Sequence, residues 1–280
     1  KAVYEMITVQ RDYGNRSDRK LSRLKYTLDN MGVEAFKAEL EKRCGFSLEP
    51  ERPYQFTSRT DFYGWHQNHE GKWYYTAFVE NGRVVDDEQH ALKTAFLEIA
   101  QLRKTNFRFT CNQNIIVADV TDEDKSEIHA ILDKYGVVES TERSTPLRRE
   151  SIACVAFNTC ALALAEAQRY LPGLISKIEP LLDKYGLQDD NISMRMTGCP
   201  NGCARPYAAE IAFIGTAYGY YNLQIGGDRT GTRLNKLYKE SLNEEGIIQE
   251  LDGLFKIYSG KREAGETFGD FAKRVKWVEY

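Results

Sequence analysis

The chain has 280 residues, 42% of them hydrophobic, and a net charge of −3 with acidic and basic residues interspersed. That is enough for one large domain or two modest ones with a real core, and it leaves no footprint for nucleic acid or an anionic membrane surface. No apolar run approaches the ~20 residues that span a bilayer, no secretory leader is visible, and six cysteines over this length do not make a disulfide scaffold. The expectation is a cytoplasmic protein with neither nucleic acid nor membrane as a partner.

In chain order, Val3, Met6, Ile7 and Val9 read as the end of a helix, broken at Gly14-Asn15. Ser17 or Asp18 is placed to cap a helix running to about Asn30, with Gly32 as its stop. That helix would gather Arg16, Arg19, Lys20, Arg23 and Lys25 on a basic face. A further helix covers Val33 to Arg43 and ends at Gly45, with Cys44 structural beside the stop. A Pro- and aromatic-bearing connector, about Leu48 to Gly64, leads into a new unit.

From Lys72 the pattern turns to strands. WYYTAFVENGRVVD reads as a hairpin turned at Asn81-Gly82. Glu88 to Arg103 has helical spacing, FRFTCNQNIIVADV is a strand pair, and Asp122 to Tyr135 is a helix closed by Gly136. The order ββαββα predicts an α+β sandwich of ferredoxin-like character. Asn112, Gln113 and Asn114 stand at the strand junction, where such residues form turns; Cys111 has no partner at ligand spacing and reads as core. His66, His69, His90 and His129 are scattered surface residues, the first two in a polar loop before a strand.

Glu139 to Glu150 looks like a linker. Beyond it, Ser151 to Phe157 is strand-like, Cys160 opens a helix interrupted at Pro172-Gly173, a second helical run ends at Tyr185, and Ile192 to Met196 is a short strand. The stretch IAFIGTAYGYYNLQIGGDRTGTRL gives strands turned at glycines, without a phosphate-binding glycine pattern. A helix over about Glu244 to Tyr258 and a polar tail end the chain.

Four of the cysteines fall in this last region. Cys154 and Cys160 have five residues between them, and Cys199 and Cys203 have three, with 38 residues separating the pairs. A helix that carries the chain away and a strand that returns it would let the pairs converge. Four converging thiolates repel one another unless a soft cation lies between them. Small and turn-forming neighbours (Asn158, Thr159, Gly198, Pro200, Asn201, Gly202) let backbone N–H groups point at sulfur, as around an iron–sulfur cluster. Zinc is a second reading, although the five-residue gap is wide for a zinc knuckle, and four buried free thiols are a third.

The pairing of C-x5-C with TGCPNGC resembles the sulfite and nitrite reductases that carry sirohaem and a 4Fe–4S cluster. The likeness extends through RDYGNRSDRK, VEAFKAELEKR, RPYQFT, ENGRVVD, LKTAFLEIA, NQN, YNLQIGGDRTGTR and REAGETFGDF, and is strongest to the haemoprotein (beta) subunits of the assimilatory NADPH-dependent type. The resemblance implies that Cys154, Cys160, Cys199 and Cys203 hold the cubane, with Cys203 also ligating the sirohaem iron. It implies that Asn112, Gln113 and Asn114 give polar contacts around sirohaem, and that Arg16 is a cation for its carboxylates. It further implies a C-terminal portion of a longer enzyme, since Lys1 is not a start methionine and the distal Arg and Lys side chains that grip sulfite lie upstream in the family; alone, the portion would be inactive.

The fold expected is therefore α+β: the end of a helical sirohaem-binding domain (1–50), a ferredoxin-like half-domain (51–138) and a mixed α/β cluster- and sirohaem-binding domain (139–280). The reaction implied is the six-electron reduction of sulfite to sulfide, which no side chain can supply without a cofactor, with a flavoprotein (alpha) subunit as electron donor. The alternatives are a ferredoxin-linked nitrite reductase and, from another class, a non-catalytic metal-binding module built on the four cysteines.

Overall fold

The computed structural model describes residues 1–88 and 90–280; Gln89, inside the helix expected over 88–103, lies outside the described residues. The chain divides into two compact units, Lys1–Gln55 and Phe56–Tyr280.

The first unit is helical: α1 (Ala2–Tyr13), a 3₁₀ turn (Arg19–Leu21), α2 (Leu24–Met31) and α3 (Val33–Cys44). Val9, Phe36, Leu40 and Cys44 form its small core. Arg43 on α3 ties the pair of long helices together, donating to Glu39 and Asp12 at 2.8 Å and to Thr8 at 3.0 Å. Gly45 stops α3 in the left-handed region at φ 72°, a conformation that costs glycine least. The single helix expected from Ser17 or Asp18 to Asn30 is instead broken in two. Asp18 caps only the 3₁₀ turn, accepting from Lys20 N–H, and the Ser22 carbonyl accepts from the Gln10 side chain at 2.8 Å, which holds the chain away from a continuous helix.

The second unit begins with β1 (Gly64–Gln67) and β2 (Trp73–Ala77), then α4 (Leu92–Leu102), β3 (Asn106–Phe109), β4 (Ile115–Val120) and α5 (Asp122–Lys134). The strands form an antiparallel sheet in the order β1-β2-β4-β3. Tyr75, Ala77, Val79, Val117 and Val120 pack on Leu92, Phe96, Ile99, Ile128 and Leu132 of the two helices. The ββαββα order thus stands, but its first hairpin lies one strand earlier than expected. It turns at Asn68, whose Oδ1 accepts from Glu70 and Lys72 N–H, and places His66 in β1 rather than in a loop. Asn81-Gly82 does not turn a hairpin because tertiary partners take its groups. Phe78 N–H donates to Thr141, Val79 N–H to Asn114, and Asn81 exchanges two bonds with Gln168. Residues 80–82 form a 3₁₀ turn instead.

The stretch expected as a linker is mostly helical, as α6 (Val137–Arg143) and α7 (Pro146–Arg149). Thr145 caps α7 and Pro146 fills its first turn, where a missing N–H costs nothing. There follow β5 (Ser151–Ala153), α8 (Leu171–Lys184), β6 (Met194–Thr197), β7 (Ile211–Ala217), β8 (Tyr220–Ile225), β9 (Lys236–Leu242), α9 (Glu244–Lys261) and α10 (Phe268–Arg274). The sheet runs β5-β6-β7-β8-β9, parallel across its first three strands and antiparallel across the rest. Met194, Met196, Ile211, Phe213 and Leu223 bury one face against Leu174, Ile178, Leu251 and Phe255. Neither β9 nor α10 was expected; the tail hides Phe268 and Phe271 in the core behind a Thr267 cap.

Cys160 does not open a helix. Leu164 and Ala165 N–H both donate to the Gly198 carbonyl, at 2.7 and 3.0 Å, and Gln168 N–H donates to Cys154 O at 3.0 Å; these bonds hold 161–170 as turns. Pro172 therefore sits in the first turn of α8 rather than breaking a helix. Among the described residues, no helix is long and apolar enough to cross a membrane.

Candidate metal centre at the carboxyl ends of two parallel strands

β5 and β6 are parallel neighbours in register, Ala153 opposite Met196, so both strands end at the same edge. Cys154 is the first residue beyond β5 and Cys199 the second beyond β6. Loops at the carboxyl ends of parallel strands are the usual place for ligands in such sheets. Cys154 N–H donates to Met196 O at 3.1 Å, and Cys154 Sγ accepts from Gly198 N–H at 3.3 Å. The crossover between them is the 154–170 loop and α8.

The structure brings Cys154 near Cys199 and Cys203. Burial raises the Cys154 thiol above its ordinary value, N–H donors from Gly198 and Ala156 oppose that, and Cys203 and Cys199 push it up further. Cys199 is buried and Cys203 exposed, while Cys154 and Cys160 are half-buried. Cys160 sits in a tight turn where its N–H and that of Thr159 both donate to Ala156 O, at 2.8 and 3.1 Å. Among the described residues, no three His, Cys, Asp or Glu side chains gather closely enough to hold a single metal ion.

The loops are packed without slack. A Cβ on Gly198 would lie 2.6 Å from Ala165 O and 2.8 Å from Ala156 Cβ, and one on Gly215 would lie 2.7 Å from both Ala165 Cβ and Gly198 O. Donor chemistry fits an iron–sulfur group: thiols from two loops at one edge, with backbone N–H aimed at sulfur, the arrangement that stabilises cluster-bound thiolate.

The β3–β4 turn touches both cysteine loops. Gln113 Nε2 donates to Ala153 O at 2.8 Å, and its Oε1 accepts from Ala153 N–H at 3.3 Å. Asn112 donates to Arg59 O and Asp61. Asn114 is buried; its amide donates to Asp61 and Tyr63 and accepts from Val79 N–H. Arg16, in the first unit, is exposed and donates to Arg11 O at 3.1 Å. Cys111, expected as core, is exposed, because the turn is fastened through Thr110, Asn112 and Asn114 and leaves that side chain outside. Cys44 is buried at the end of α3.

Sequence reading missed a set of arginines beside the TGCPNGC loop. Arg205, two residues after Cys203, donates to Cys111 O at 2.6 Å and Asn112 Oδ1 at 3.3 Å, and its own carbonyl accepts from Arg195 at 3.0 Å. Arg59 donates to Ala208 O at 2.5 Å and Ser193 Oγ at 2.8 Å. Burial, with Arg59 and Arg205 close by, pulls Arg195 down to about 9. A signal was there: strand alternation in Met-Arg-Met-Thr puts Arg195 and Thr197 on the face opposite the two buried methionines.

Known proteins resemble this chain along its length. Residues 1–48 match the family model described as nitrite and sulphite reductase 4Fe-4S domain, and residues 66–135 match the nitrite/sulfite reductase ferredoxin-like half domain. The sulfite reductase (NADPH) hemoprotein beta-component of Leptospira biflexa serovar Patoc is 59% identical over 275 residues, covering 98% of this chain and 50% of that protein. The protein of the same name from Geobacillus thermodenitrificans is 52% identical, covering 98% of this chain and 48% of its own length. The chain thus spans about half the length of the curated relatives it matches. In fold, it is similar to the Mycobacterium tuberculosis NirA protein, with a TM-score of 0.79 at 24% identity over 99% of this chain and 52% of that one.

Proposed function

The chain belongs to the nitrite and sulfite reductase family, and from that premise we propose that it supplies the four-cysteine half of a sulfite reductase haemoprotein. The observation that carries the reading is that Cys154 and the loop bearing Cys199 and Cys203 leave the same edge, where β5 and β6 end side by side and Gly198 N–H donates to Cys154 Sγ. The cofactors are a 4Fe–4S cluster and sirohaem; when bound, they would relay electrons from an external donor and offer the iron at which sulfite is reduced to sulfide.

The chain's own residues have distinct tasks. Cys154, Cys160, Cys199 and Cys203 are the cluster ligands. Cys203, the exposed thiol of the set, would be the one that also holds the sirohaem iron. Gly198 and Ala156 N–H groups favour the ionised sulfur of Cys154, as a metal ligand requires. Arg205 at the rim and Arg16 in the first unit are cations of the kind a carboxylate-rich macrocycle needs. Asn112, Gln113 and Asn114 serve the cofactor side through the turn they build. The domain reading that accompanies this has 1–50 as the end of a preceding sirohaem-binding domain, 51–138 as the ferredoxin-like half and 139–280 as the cluster-bearing domain.

The relatives' designation as the beta-component of an NADPH enzyme supports a flavoprotein alpha subunit as partner and electron source, sulfite as substrate and the cytoplasm as location. The test is iron, acid-labile sulfide and zinc analysis of the purified holoprotein beside two variants. Cys111→Ser should keep its iron, and Cys203→Ser in the full-length enzyme should lose the coupling between the two cofactors and with it turnover. A colourless, zinc-loaded product would refute the reading, and near-parental activity in Cys203→Ser would refute the bridge.

A further inference from the structure

Resting on that reading, we propose that Gln113 is a positioning residue for the cluster, and that the turn carrying it, Thr110 to Asn114, clamps both cysteine loops at one spacing. Among the described residues, strand β5 pairs only with β6, so the N–H and C=O of Ala153 point away from the sheet. Gln113 takes both, closing that edge as a neighbouring strand would. Ala153 is the residue before Cys154, so the clamp sets where the first thiol begins.

From the same turn, the Cys111 carbonyl and Asn112 side chain hold Arg205, two residues past Cys203. One five-residue turn therefore grips the chain just before the first ligand and just after the last. It is itself rigid. Asp61 accepts from Thr110 Oγ1 at 2.6 Å, from Asn112 at 3.1 Å and from Asn114 at 2.8 Å, and Thr110 Oγ1 accepts in turn from the N–H groups of Asn112 and Asn114. Gln113 holds a left-handed φ of 69°, which aims its amide at β5. Gly82 lies against it, where an added Cβ would come 3.2 Å from Gln113 Cβ. Groups that orient metal ligands from one shell out commonly change metal affinity by 10–100-fold when removed.

The experiment compares the native holoprotein with Gln113→Met, which keeps the length and loses both hydrogen bonds. Three quantities are read: the rate at which an iron chelator bleaches the cluster, the reduced cluster's paramagnetic resonance signature, and its midpoint potential. The expected result is bleaching faster by roughly tenfold, with an altered signature and an unchanged circular dichroism spectrum. Arg205→Lys, which keeps the charge and loses the fork, should move bleaching the same way. Wild-type bleaching, signature and potential in Gln113→Met would overturn the inference. If Gln113→Met does not accumulate folded protein, Gln113→Glu, which keeps the length and the acceptor, faces the same two outcomes. A wild-type holoprotein without iron and labile sulfide would instead overturn the cluster reading beneath it.

Discussion

Gly198 shows how little room a single position has. It lies between the Cys154 sulfur, which takes its N–H, and the turns of the 154–170 loop, which take its carbonyl twice. Gly198→Ala drives a methyl into Ala165 O and Ala156 Cβ, and overpacking of this kind costs about 1–3 kcal/mol. The expected outcome is a lower melting temperature and a lower iron content in the same variant; melting alone, with full iron, would place the strain away from the cysteines. At this scale the turns around the cysteines were legible, because small and turn-forming neighbours such as Gly198 are written in the chain. The use of Gln113 was not. Side-chain amides at a strand junction read as turn formers, and their second bonding partner, Ala153, lies 40 residues on in sequence.

Elements were legible where the hydrophobic period was strong, as in α3, α5 and the β3–β4 pair. They were misread where tertiary bonds displaced local preference, as at Asn81-Gly82 and in the alanine-rich stretch after Cys160, whose N–H groups are claimed by Gly198. The α1–α3 pair gives a prediction in pH. Asp12 is held down to about 2, first by its hydrogen bond from Arg11 and next by that from Arg43. A carboxylate held below its ordinary 3.8 adds stability above that value and loses it as pH falls toward about 2. Far-UV circular dichroism of the acid transition should therefore show a shallower limb in Asp12→Asn over that window, with stability near neutrality reduced. An unchanged limb would show that the pair contributes nothing, as is common for exposed ion pairs.

At the scale of the molecule, the chain divides at Gln55/Phe56, and residues 49–58 are exposed and outside helix and strand. Limited chymotrypsin digestion of the 280-residue chain should cut first after Tyr54 or Phe56, both exposed aromatic residues in this stretch, and mass spectrometry of the products checks it. An early cut within 64–280 would show a weaker place than this connector. Sequence made the α+β class and the connector visible, whereas the tail's return to the core through Phe268 and Phe271 was masked by its polar composition.

The five-stranded sheet ends differently at its two borders. On one side β5 has the backbone of Ala153 occupied by Gln113; on the other, β9 presents exposed Lys236, Lys239 and Glu240. A bare border of a sheet is a template on which another chain can add a strand, and both amide capping and charge deny it that use. The same amide that orders the approach to Cys154 therefore also guards the molecule against self-association through its shortest strand.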